Sequence, residues 1–365
     1  MTDPTPHLTA LQRDGYVIIP NLLAEPQLTT LRTAAAHAAA LGRTGKWPHI
    51  RTVPKQFPPW PSTPPPASQG GIWGVQHLLH PEMPSRHAFA NLYFSPAVLS
   101  IVEELVGLKP SNPNPNPNSS DDTPNDTPEP LTMELLNLLV SPTHTPFSLR
   151  WHRDDIPTPP TLSPADELAA LRQKSPPHRP QSHAQYNIPL YADASLVVVP
   201  GSHRRARTPV EREAGPYEED LPGQVVVRLA AGDAVFYDSN IWHRGVYGAV
   251  DEGVVGGDGV VEGLRLTVHG SVGGAAGEGE GKENKRAKVV LQHGVGFWVN
   301  REDAGFEGLE GGVRVRAERM RRRLVEMGRG EGVGYALMEA GVNFTSPLGR
   351  YVQIGAPPAL DAALT

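Results

Sequence analysis

A chain of 365 residues, 39% hydrophobic and 20% charged, carries enough apolar material for one large folded domain or two small ones. It has no cysteine, which excludes disulfides, thiolate metal sites and a cysteine nucleophile. The formal net charge of -6 argues against a nucleic-acid binder, and no apolar run is long enough to span a membrane.

The first elements are legible from local chemistry. Leu8 to Ile19 reads as a short helix and then a strand, with Asp14-Gly15 breaking the helix before Tyr16-Val17-Ile18-Ile19. Pro26 to Leu41 reads as a helix on its leucines and alanines. Residues 54–66 contain seven prolines and are loop. Ala97 to Val106 is a second long helix, closed by Gly107.

Four stretches then look like lengthened surface loops of one fold, an inexpensive change because closure entropy grows slowly with length. Residues 110–130 alternate Asn and Pro and are expected to be disordered. Residues 157–182 are Pro-rich with a helical piece near Asp166 to Leu171, and 251–263 and 272–288 are rich in glycine and charge. Strands are predicted between them at Leu131–Val140, Tyr186–Tyr191, Leu196–Val199, Val225–Leu229, Ala234–Tyr237, Leu264–His269 and Val289–Val299. Short strands with Gly and Pro between them, in a chain with 37 glycines and 39 prolines, suit an antiparallel sandwich or barrel. A last helix, Val313 to Met327, bears Arg314, Arg316, Arg319, Arg321, Arg322 and Arg323 and is expected to turn them to solvent, with Val315, Met320 and Leu324 inward.

The chemistry gathers at Trp151-His152-Arg153-Asp154 and Trp242-His243. In extended backbone residues i and i+2 share a face, so His152 and Asp154 reach one ion while Arg153 points away. His243 lies far along the sequence, but strands from opposite parts of a barrel meet across its interior. Two histidines and a carboxylate form a facial set that leaves the other positions of the metal open, and such N and O ligands suit Fe(II), Mn(II) or Zn(II). Arg265 sits in the alternating run Leu264-Arg265-Leu266-Thr267-Val268-His269. A guanidinium there can hold a carboxylate through two donors, and Thr267 on the same face adds a hydroxyl.

These motifs, with Val199-Pro200-Gly201-Ser202-His203, Gly232-Asp233-Ala234-Val235-Phe236 and the opening Asp14-Gly15-Tyr16-Val17-Ile18-Ile19-Pro20, resemble the phytanoyl-CoA dioxygenase family over roughly residues 8–300. The resemblance implies an α+β fold, a double-stranded β-helix or jelly-roll (cupin-like) barrel flanked by helices. It makes residues 1–365 a single domain, with a core over 8–300 and a helical extension over 301–365. It also implies an oxidoreductase that uses Fe(II), 2-oxoglutarate and O2. His152, Asp154 and His243 would be the iron ligands, and Arg265 would pair with the distal carboxylate of 2-oxoglutarate. The gap from His243 to Arg265 is longer than is usual in the family, and the Gly-rich stretch 248–263 accounts for it as an insertion.

Tyr186 and Asn137 fall where the family contacts its co-substrate, with Asn187 beside Tyr186. His203 reads as a turn-stabilising residue, and Arg204, Arg205 and Arg207 as solvated surface. Trp73, Gln76 and His77 are candidates for the substrate mouth, with Trp73 favoured as core. Related halogenases lack the ligand carboxylate, so Asp154 favours hydroxylation or desaturation of a small organic substrate. A cupin-like metal enzyme without 2-oxoglutarate, or a non-catalytic binding barrel, are the alternatives. No signal or peroxisomal address is visible, so a cytoplasmic protein, monomeric or homodimeric and without nucleic-acid or membrane partners, is expected.

Overall fold

The computed structural model describes residues 5–108, 129–174, 181–250, 264–274, 282–328, 342–343 and 352–353. Helix α1 (Pro6–Asp14) starts on Thr5, whose side chain accepts from the Leu8 N–H, and stops at Gly15 in the left-handed region. Strand β1 (Tyr16–Ile19) follows, then α2 (Glu25–Arg43). The buried face of α2 is mostly small: Ala34, Ala35, Ala38, Ala39 and Gly42 let it lie close on the sheet below.

Next come β2 (Ile50–Thr52), β3 (Ile72–Val75), α3 (Arg86–Tyr93) and α4 (Pro96–Leu105), then β4 (Leu131–Val140), β5 (Phe147–Ser148) and α5 (Pro164–Lys174). After these run β6 (His183–Pro189), β7 (Asp193–Val199), α6 (Pro209–Glu213), β8 (Val225–Leu229), β9 (Ala234–Tyr237), β10 (Trp242–Tyr247) and β11 (Leu266–Gly274). Helices α7 (Lys282–Gln292) and α8 (Gly311–Met327) follow.

The strands make a seven-stranded sheet, β1-β9-β6-β11-β4-β3-β2, and a four-stranded sheet, β5-β10-β7-β8, with every pairing antiparallel. From β4 to β11 the chain shuttles between the sheets at every step but one, the β7–β8 hairpin of the small sheet, so most sheet neighbours are far apart in sequence. That interleaving is the jelly roll. β1, β2 and β3 extend the large sheet at its two edges. The largest apolar cluster lies between the large sheet and the helices; a smaller one, including Val198, Val227, Val235 and Ile241, joins the two sheets.

Several expectations need correction. Val289–Val299 is not a strand: α7 occupies its first part and a 3-10 turn covers Val295–Phe297. Ala287 and Val290, three apart, are buried while Val289 is exposed, a helical period in place of an alternating one. The stretch 157–182 is not only a surface loop, because α5 inserts Glu167 completely into the protein. Of the arginines expected at the solvated surface, Arg207 is buried and pairs with Glu167, whereas Arg204 is exposed and Arg205, with its side chain 38% exposed, forms a two-bond pair with Glu211. On α8, Met320 and Leu324 are buried with Ala317, but Val315 is half exposed. Its arginines are only partly solvated, since Arg316 pairs with Glu103 and Arg323 donates to Thr132 Oγ1. Residues 251–263, and 110–130 apart from the last two, lie outside the described residues.

Candidate metal and co-substrate site

The two ligand histidines are held by backbone pairing. His152 N–H donates to His243 C=O at 3.0 Å and His243 N–H returns a bond to His152 C=O at 3.1 Å. Directly opposed residues in an antiparallel pair present their side chains to the same face, and the rings stand 4.4 Å apart. Each Nδ1–H donates to a carbonyl two residues back, His152 to Arg150 at 2.7 Å and His243 to Ile241 at 2.8 Å. Both Nε2 atoms therefore carry the lone pair that a metal needs.

Asp154 is anchored by its own N–H on Ser239 C=O at 2.7 Å. Its oxygens stand 3.4 Å from His152 Nε2 and 3.7 Å from His243 Nε2, and the three ligand atoms all lie within 4.8 Å of one another. Burial pushes the Asp154 carboxyl up, but His243, His152 and the hydrogen bond from Gln185 outweigh it and hold the group well below the usual carboxylate range. Burial, with His152 beside it, lowers His243 to about 4, so it is neutral at pH 7. Two imidazoles with free Nε2 lone pairs and one carboxylate held ionised, with one side of Asp154 open to a cavity, fit an Fe(II) ion bound on one face.

An ordered relay lies behind the carboxylate. Gln185 Nε2 donates to Asp154 Oδ2 at 2.8 Å, which turns Gln185 Oε1 to accept from Ser239 Oγ at 3.2 Å, and Ser239 Oγ lies 2.5 Å from His183 Nε2. On the far side of the ligand strands Trp151 stacks on Trp242, with the Arg244 guanidinium over the first indole and Arg153 and Arg207 over the second. Arg153 and Arg244 thus point away from the site.

The triad forms part of the wall of a cavity of about 520 Å³ between the sheets, within the range of small-molecule sites. Its aromatic wall includes Phe57 and Trp60 from the Pro-rich loop, Trp73, Tyr237 and Tyr247. Gln76 lines it and His77 does not; Trp73 is both core and wall, packed against Phe147 and Tyr247. Arg265 also lines the cavity, with the Tyr247 ring 4.4 Å from its guanidinium carbon. Thr267 shares the face expected, and both residues converge on one carboxylate, that of Asp193. His269, two further on, lines the cavity too. Its Nδ1–H donates to Asn187 Oδ1 at 2.9 Å, and burial lowers it to about 3.

Three residues predicted to contact the co-substrate do not line the cavity: Thr267, whose hydroxyl goes to Asp193, Tyr186 and Asn137. Tyr186 is fully buried on the helix side of the sheet against Phe236, because alternation along β6 gives the cavity Gln185 and Asn187. Gly270 makes room for it, since a Cβ there would meet the Tyr186 ring at 2.4 Å. Asn137 lies opposite His269 in register, but its Oδ1 accepts from the His77 N–H and it does not line the cavity. His203 buttresses the opening turn, its Nε2 3.2 Å from Gln12 C=O and its ring against Gly15. Asp193, Gln185 and His269 were not singled out from the sequence. The last two were accessible by counting in twos from Asn187 and Arg265, but Asp193 carries no sequence signal.

Comparison with known proteins supplies the family. Residues 11–246 match the model described as phytanoyl-CoA dioxygenase, more than half of the chain. The chain belongs to the phytanoyl-CoA dioxygenase family. It is an oxidoreductase of the non-haem iron, 2-oxoglutarate-dependent class, whose cofactor and co-substrates are Fe(II), 2-oxoglutarate and O2. The match includes His152, Asp154 and His243 and stops before Arg265. No curated protein matches the chain.

Among solved structures the chain is similar to AviO1 from Streptomyces viridochromogenes Tue57, at 16% identity and a TM-score of 0.46, covering 76% of this chain and 98% of that one. It is also similar to EctD from S. alaskensis with 2-oxoglutarate and 5-hydroxyectoine, at 15% and 0.46 over 75% and 78%. The non-heme alpha ketoglutarate dependent epimerase SnoN from nogalamycin biosynthesis gives 16% and 0.42 over 73% and 80%. Likeness at this level leaves the substrate open.

Proposed function

We propose that the protein hydroxylates or desaturates a small organic molecule, with His152, Asp154 and His243 as iron ligands and Arg265 as the clamp on the distal carboxylate of 2-oxoglutarate. The observation that carries this is the convergence of three ligand atoms within 4.8 Å in the wall of a cavity that also contains a buried arginine. When bound, iron would couple oxidative decarboxylation of 2-oxoglutarate by O2, giving succinate and CO2, to oxidation of a substrate C–H bond.

The chain's own residues prepare the site. The Nδ1 hydrogen bonds fix the histidine tautomers, and Gln185 aims the Asp154 carboxylate. Arg265 offers a charged fork that stays protonated when buried. The aromatic wall shields the reaction from water and receives an apolar substrate face. Retention of the Asp154 carboxylate favours oxygen insertion or desaturation over halogenation. We read the whole chain as one domain, with α7 contributing Val289 and Val290 to the cavity and the turn after it His293.

The test is anaerobic addition of Fe(II) and 2-oxoglutarate with optical spectroscopy, followed by admission of O2 and a succinate assay. A weak visible charge-transfer band and slow substrate-independent succinate formation are expected. Both should vanish in His152→Ala and Asp154→Ala; either surviving in those variants refutes the ligand assignment. A band absent from the wild type would favour a binding barrel.

A further inference from the structure

Asp193 opens β7 in the small sheet, and its carboxylate reaches across to the large one. Its Oδ2 accepts from Arg265 Nε at 2.8 Å and from Thr267 Oγ1 at 2.6 Å, while Oδ1 accepts from the Ser195 N–H at 2.8 Å. Both partners of the ion pair are nearly inaccessible, with side chains 6% and 7% exposed. A guanidinium has two edges able to receive a carboxylate: the side edge at Nε and the end formed by the two Nη atoms. Asp193 occupies the side edge. Arg265 Nη1 is buried and has no hydrogen-bond partner, although the residue lines the cavity. Buried donors of charged groups are seldom left without an acceptor; other buried arginine nitrogens here also lack one, but this one belongs to a residue of the cavity wall beside the metal ligands, where a bound carboxylate would supply it.

We propose that Asp193 is a positioning residue for co-substrate binding. It grips Arg265 by Nε, with the Tyr247 ring beside the guanidinium, and so directs the Nη end toward the distal carboxylate of 2-oxoglutarate. It also neutralises the arginine while the site is empty, so that no lone cation is buried. Thr267 accordingly acts on Asp193: its hydroxyl fixes Oδ2, and the co-substrate meets the arginine alone. The proposal rests on the reading of Arg265 given above.

The experiment is a calorimetric titration of 2-oxoglutarate into full-length protein loaded with Mn(II), which reports binding without turnover. Mn(II) affinity is measured in parallel. Arg265→Ala should weaken 2-oxoglutarate binding by roughly a hundredfold and Asp193→Ala by roughly tenfold, about 2.7 and 1.4 kcal/mol. Asp193→Asn keeps an oxygen for both donors and should remain within about threefold of wild type. Mn(II) affinity should be unchanged throughout. Should Asp193→Ala fail to fold, Asp193→Glu serves instead: it keeps the charge, displaces the carboxylate by one methylene, and should weaken 2-oxoglutarate roughly fivefold. Wild-type binding by Asp193→Ala, or by Asp193→Glu where that variant is needed, alongside a defective Arg265→Ala would make the ion pair merely structural and overturn the proposal. Tighter binding by Asp193→Ala would show a competitor for the fork and overturn it equally. An unaffected Arg265→Ala would overturn the underlying assignment of the clamp.

Discussion

Glu167 offers the sharpest test of how the α5 insert supports the metal site. Its carboxylate is completely buried and receives Arg153 Nη2 at 3.1 Å, Arg207 Nε at 3.2 Å and Arg212 Nη2. The Arg207 N–H adds a fourth donor at 3.2 Å. Arg153 lies between His152 and Asp154 and also donates to the carbonyls of Ser202, Arg205 and Asn240. Replacing Glu167 with Ala leaves the inaccessible Arg153 and the nearly inaccessible Arg207 without their counter-charge. Removing one partner of a buried pair costs about 3–5 kcal/mol. The pair's Coulomb energy adds nothing to this figure, because the loss is chiefly the desolvation of what remains. In a domain of more than 250 residues each kcal/mol moves Tm by about 2 °C or less, so a fall of at most roughly 6–10 °C is expected. Glu167→Gln, which keeps an acceptor, should fall between. The assays are urea and thermal unfolding of the metal-free protein, followed by Fe(II) titration, where displacement of Arg153 should weaken binding. A loss below about 1 kcal/mol for Glu167→Ala would refute the claim that α5 is tied to the ligand strands through this carboxylate.

Other perturbations follow from the same geometry. Gln185→Leu removes the donor that aims Asp154 and should lower Fe(II) affinity by about 10–100-fold with little change in Tm, measured by competition with a chelator. His49, His80, His243 and His269 are held neutral by burial, at about 3, 4, 4 and 3. Between pH 6.5 and 4 the unfolded chain binds more protons than the folded one, so stability must fall as pH falls through that window, by up to about 1.4 kcal/mol per histidine per pH unit. Urea midpoints that stay flat from pH 6.5 to 5 would contradict this. Gly270→Ala drives a methyl into the Tyr186 ring and should cost about 1–3 kcal/mol by urea unfolding, without altering 2-oxoglutarate affinity.

Much of this arrangement was legible because periodicity survives translation into three dimensions. β4, β8 and β9 begin and end where their β-rich runs do, and His152 and Asp154 share a face as residues two apart in extended backbone should. What escaped was set by context. Val289-Val290-Leu291 suits a buried strand or a helix equally, and only its neighbours decide. Tyr186 was assigned by position in a motif, although strand alternation from Asn187 already placed it on the opposite face. β2 and β3 are short and lie beside glycines and prolines, so the pairing of β3 with β4 and of β2 with β3 has no local signal. Asp193 meets Arg265 only because the chain passes from the large sheet at β6 to the small one at β7 while β11 pairs with β6, a property of the topology and not of any segment.

The parallel indoles of Trp151 and Trp242 make the ligand strands their own optical probe. Their planes lie 13° apart at a centroid distance of 6.3 Å, and each is covalently adjacent to a ligand histidine. Emission from either should be quenched when a paramagnetic ion binds. Coupling between the two transition dipoles should give a paired near-ultraviolet dichroism signal that disappears if the strands part. Occupancy and strand pairing can thus be followed separately in the unlabelled protein, without knowledge of the substrate.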